Sequence, residues 1–104
     1  MFVTSQGTAH CRFETFLRQG NIEMAEQAAR ELGQLSLRDA LLLVALYARK
    51  ANPKFEPAAV KWLGRLALEG PDVHLQDLLV AVAALGQLRG ERSDKASRLL
   101  RDLT

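Results

Sequence analysis

Cysteine occurs once in this 104-residue chain, at Cys11, so no internal disulfide can form. That usage suits a reducing compartment. Proline occurs three times, and the aromatics amount to four Phe, one Tyr and one Trp. β-branched residues are also sparse, which leaves β-strands no obvious home. Neither sign of charge dominates: 14 Lys and Arg stand against 12 Asp and Glu, for a net charge of +2. This is well short of a strongly basic nucleic-acid-binding chain. No apolar run approaches the roughly 20 residues a membrane-spanning helix needs. The opening residues, MFVTSQGTAH, have neither a basic segment nor an apolar core, so they do not read as a signal peptide. A cytoplasmic protein with no membrane partner is the expectation.

What the chain does contain is leucine and alanine, 19 and 15 residues respectively. Both are strong helix formers. Two unbroken apolar runs stand out, Ala40–Ala48 (ALLLVALYA) and Leu78–Leu85 (LLVAVAAL). A helix that is apolar all round has to be surrounded by others, so these runs predict two central helices. The length suits one domain with one core.

The spacing of apolar residues supplies the remaining helices. Residues Met1–Thr8 read as a polar tail. Ala9, Phe13, Phe16 and Leu17 share a face and predict a helix over Ala9–Gln19. Gly20 ends it, and Asn21 caps a second helix, Ile22–Leu32, with Ile22, Ala25, Ala28, Ala29 and Leu32 on one stripe. Ser36, with Asp39 three residues on, opens a third helix that ends near Ala51, before Asn52-Pro53. Pro57 suits the first turn of a fourth, Glu56–Glu69, with Ala59, Trp62, Leu63 and Leu66 inward and Lys61, Arg65 and Glu69 outward. A fifth is expected over Leu75–Arg89. A sixth, capped by Ser93 or Asp94, carries Ala96, Leu99, Leu100 and Leu103 on one face. The expected fold is all-α: a compact six-helix bundle of three antiparallel hairpins, 9–33, 36–70 and 74–104, forming a single helical domain over 9–104. The third and fifth helices are expected at its centre.

The first hairpin, FETFLRQGNIEMAEQAARELG, places Phe13 in one helix, Gly20 at the turn and small Ala25, Ala28 and Ala29 in the next. It resembles one helix-turn-helix unit of tetratricopeptide or Sel1-type repeats, and that resemblance implies solenoid-like stacking. The tetratricopeptide pattern also has an early Trp and a terminal Pro, which this segment lacks, and the helix onsets are unevenly spaced. A compact bundle therefore remains the preferred architecture. The stretch AAVKWLGRLALE followed by a leucine-rich helix is similar to small all-helical proteins common in actinobacteria. This implies a bacterial setting and no activity.

Chemistry-bearing residues are few. His10 and Cys11 are neighbours and point apart on a helix, His74 is the only other histidine, and a zinc site needs three or four ligands. His74 reads as a helix-start residue beside Asp77. Gly64, Gly70, Gly86 and Gly90 lack the spacing of a phosphate-binding loop. No catalytic, cofactor-binding or metal-binding residues are assigned, no cofactor is expected, and the chain does not read as an enzyme. Trp62 reads as a core anchor, and Tyr47 as a core residue whose hydroxyl needs a partner.

One cluster carries charge of one sign. Arg49, Lys50, Lys54, Lys61 and Arg65 lie close together with Glu56 the single acid among them. They form a candidate patch for an anion or an acidic partner. EPAAVKWLGRL looks superficially like a DNA-recognition helix. Aligning Val60 with the buried Val of that motif, however, puts Lys50 and Lys54 where a small residue and a glycine belong. The favoured role is a small non-enzymatic interaction or adaptor module whose partner is another protein or itself. The alternative is a nucleic-acid-associated regulator that uses the basic patch.

Overall fold

The computed structural model describes residues 5–90 and 93–104. Among them are six helices and no strand: α1 (Ser5–Gln19), α2 (Ile22–Leu32), α3 (Leu37–Arg49), α4 (Phe55–Glu69), α5 (Leu75–Gln87) and α6 (Ser93–Asp102). The all-α expectation holds, and successive helices pair as three hairpins. The chain divides into two units, one ending at Ser36 and the other running from Leu37 to Thr104.

The first unit is the α1–α2 hairpin. Helix α1 begins at Ser5, so the expected polar tail is shortened: residues 5–8 belong to the helix, and residues 1–4 lie outside the described residues. Once the Ala9–Leu17 face has nucleated a helix, each residue added at its start gains a hydrogen bond for one pair of fixed dihedrals. Ala9, Phe13 and Leu17 are buried on α1, and Ala25 and Ala28 on α2. Gly20 adopts the left-handed conformation, φ 71°. The N–H of Gly20 donates to the Leu17 carbonyl and that of Asn21 to the Phe16 carbonyl, the paired bonds of a Schellman end. The Asn21 side chain then accepts from the Met24 N–H at 3.2 Å and so opens α2. An Arg12–Glu31 ion pair ties the two helices together.

The second unit closes on itself: α3 touches α4, α4 touches α5, α5 touches α6, and α6 touches α3. Its core is Leu41, Val44, Leu46, Tyr47 and Ala48 of α3, Phe55, Ala59, Trp62 and Leu66 of α4, Ala81, Ala84 and Leu85 of α5 with Leu88 beyond it, and Ala96 and Leu100 of α6. Trp62 is 1% exposed, and its indole N–H donates to the Leu37 carbonyl at 2.8 Å. It is the core anchor expected, and it fastens the middle of α4 to the start of α3. No buried side-chain nitrogen or oxygen among the described residues lacks a hydrogen-bond partner.

The turns between these helices are set by local chemistry. Helix α3 ends in a second Schellman arrangement, with the Ala51 N–H on the Ala48 carbonyl and the Asn52 N–H on the Tyr47 carbonyl. Here the left-handed position is Ala51, φ 50°. The Asn52 side chain accepts from the Lys54 N–H at 2.8 Å, which turns the chain into α4. After α4, a Cβ on Gly70 would lie 2.6 Å from the Leu66 carbonyl oxygen and 2.5 Å from Val73 Cγ2, so only glycine fits. Helix α5 opens with His74 at its N-cap, where the Asp77 carboxylate accepts from the His74 N–H at 2.9 Å. The Arg89 guanidinium lies 4.5 Å from the Phe55 ring centroid and joins the end of α5 to the start of α4.

One expectation fails. Helix α5 is not enclosed: only Ala81, Ala84 and Leu85 within it are buried. In a ring of four helices each member keeps one outward side. On α5 that side is apolar.

Candidate interaction surface

Helix α5 has the sequence LQDLLVAVAALGQ, and its one charged residue, Asp77, is half-buried and bonded to the helix start. Ala81, Ala84, Leu85 and, beyond the helix end, Leu88 turn inward. The opposite side presents Leu75 (71% exposed), Leu79 (62%) and Val82 (51%), with Val80, Ala83 and Gly86 also exposed. The only polar side chains exposed on this helix are Gln76 and Gln87. Large apolar side chains left in water at adjacent helical positions mark a surface that another surface can cover.

Helix α4 repeats the pattern on a smaller scale. Val60, Gly64 and Leu68, four residues apart, are all exposed, with Leu68 at 89%. Here the strip is bordered by charge: Lys61 and Glu56 are exposed on the same helix.

The basic cluster sits on the α3–α4 hairpin. Arg49 closes α3, Lys50 follows it, and Lys54 stands at the N-cap of α4 without a side-chain capping bond. Lys61 lies in mid-helix and is exposed, as are Arg49, Lys50 and Lys54. Arg65, one turn beyond Lys61, is half-buried and committed to its own helix. Its Nε donates to Glu69 Oε2 at 2.8 Å and its Nη2 to Glu69 Oε1 at 3.0 Å. This fork raises the Arg65 pKa above its usual value, through the hydrogen bond first and then the attraction of the Glu69 charge. The same bond holds the Glu69 carboxyl below the usual carboxylate range. The cluster is therefore assembled on one hairpin, with Arg65 already carrying an acid. The four-residue spacing of Arg65 and Glu69 was the sequence signal for that pair.

The two histidines belong to different units. His10 Nδ1 lies 2.8 Å from Glu14 Oε1 within α1, and the His10 ring contacts Phe13 at 6.5 Å between centroids. Cys11 is exposed beside it. Among the described residues no three His, Cys, Asp or Glu side chains come together as a metal site. No described helix is long and apolar enough to cross a membrane. Compared with known proteins, the chain matches no family model, no curated protein and no solved structure.

Proposed function

We propose that this chain is a small non-enzymatic protein-interaction module that binds through the outward face of α5. The observation that carries the reading is the exposure of Leu75, Leu79 and Val82 on a helix with no exposed charge. A folded monomer gains nothing from such a face, whereas an interface core is apolar and depleted of charge. The reading is tested by capture from the native host with the wild-type chain and with Leu79→Arg, nuclease included in both. A defined protein held by the wild type and lost with Leu79→Arg supports it. Equal capture by both chains overturns it.

The nucleic-acid reading through Arg49, Lys50, Lys54, Lys61 and Arg65 finds less support. Phosphate contacts require cations able to leave their protein partners, and Arg65 is forked onto Glu69 in good geometry. Recovery of nucleic acid in the capture, lost on Lys61→Glu, would restore that reading.

A further inference from the structure

Successive helices of the second unit alternate in direction, so α3 and α5 end where α4 and α6 begin. The stacking of Arg89 on the Phe55 ring fixes that correspondence, because it joins the residues after α5 to the first residue of α4. Cations from both turns therefore gather at one end of the ring. Arg49, Lys50 and Lys54 come from the α3–α4 turn, Arg89 follows α5, and Lys95 lies in the first turn of α6. All five are exposed, and among the described residues only Glu56 and Asp94 put carboxylates beside them. Glu91 and Arg92, next in sequence to Arg89, cancel in charge. At the opposite end, which includes Asp39, Asp72, Asp77 and Asp102, acids outnumber cations.

Three of these cations suit their own helices. Arg49, Lys50 and Arg89 lie at or just beyond C-terminal ends, where positive charge complements the dipole. Lys54 does the reverse. It holds the N-cap of α4, where Asp, Asn or Ser would accept a hydrogen bond from the helix and where a cation faces the positive end of the dipole. Its side chain makes no capping bond. A residue that works against its own helix points to a function elsewhere.

We propose that this end of the ring binds an acidic polypeptide segment. Four helices with axes about 8–10 Å apart give a face about 15 Å across, which an extended segment of about five residues spans. Carboxylates spaced along such a segment can meet Lys50, Lys54, Arg89 and Lys95 while passing Glu56 and Asp94. A nucleic acid fits less well. Its phosphates are evenly spaced and all negative, and single strands draw on exposed aromatic platforms for their bases. Tyr47, Phe55 and Trp62, the three aromatics of this unit, are all buried. None of the five cations belongs to α5, so this site stands whether or not the α5 face binds.

Fluorescence anisotropy on the full chain tests it, with a labelled peptide of about ten glutamates as probe in low salt. Two double variants of equal net charge are compared with the wild type: Lys50→Glu with Lys54→Glu at this end, and Arg38→Glu with Arg101→Glu at the other. The first pair is expected to weaken binding at least tenfold and the second less than about twofold. Lys54→Asp alone is expected to weaken binding severalfold while raising the thermal midpoint by a few degrees, since Asp caps α4. A variant that folds better and binds worse does not owe its loss to unfolding. Absence of saturable binding by the wild type overturns the proposal, as do equal losses in the two double variants or unchanged binding by Lys54→Asp. Tighter binding of a thymidine oligonucleotide of equal charge also overturns it, and returns these cations to nucleic acid.

Discussion

Two residues at equivalent places show how finely the turns are tuned. Gly20 and Ala51 each close a helix in the left-handed conformation with the same pair of backbone bonds. Glycine takes that conformation freely, whereas alanine brings its Cβ against the following carbonyl. Ala51→Gly is therefore expected to stabilise the protein by about 1 kcal/mol, measured as a higher urea midpoint with an unchanged slope. Arg65 and Glu69 make a second prediction at this scale. Glu69 titrates below the usual carboxylate range when folded, so its contribution is present above the unfolded pKa. It fades as pH falls through the lowered folded value. Glu69 is exposed to water, so that contribution is small. Arg65→Ala should move the Glu69 titration, followed by carboxyl NMR, back up toward the usual range, with little change in overall stability.

At the scale of the element, the glycines of α4 and its exit separate two roles that look alike in sequence. Gly64 lies in open space in mid-helix, while Gly70 is pressed against the Leu66 carbonyl and Val73. Gly64→Ala should stabilise the fold by about 1 kcal/mol through helix propensity. Gly70→Ala should destabilise it by about 1–3 kcal/mol through overpacking. Thermal unfolding of the two variants should move in opposite directions.

The helices themselves were legible because their polar and apolar residues alternate with a clear period: Ala59, Trp62 and Leu66 were placed inward and are buried. So were the caps, since Asn21 and His74 precede apolar stripes with side chains suited to a helix start. Helix α5 was misread for the opposite reason. An unbroken apolar run has no period, so nothing in LLVAVAAL tells an inward side from an outward one. The sequence pointed to burial on all sides, and only the arrangement of neighbouring helices reveals which residues are left over. The Arg12–Glu31 pair was hidden because nothing in the sequence sets which residue of α2 comes to face Arg12.

At the scale of the whole molecule, the cluster of Arg49, Lys50, Lys54, Lys61 and Arg65 lies on the α3–α4 hairpin, and the exposed face of α5 has no charge of either sign. Binding through α5 should therefore be insensitive to ionic strength between 50 mM and 500 mM salt, when followed by sedimentation. Attachment through the α3–α4 cations would weaken steeply over the same range. The burial of Trp62 has a practical consequence beyond stability. It is the only indole in the chain, it is sealed from water, and its N–H is already bonded. Its ultraviolet emission should be blue-shifted and resistant to quenchers in the intact protein. A partner that merely covers α5 leaves that emission alone, whereas one that pries α4 from α3 shifts it to the red. The chain thus carries an internal optical gauge that separates docking from remodelling, with no label added.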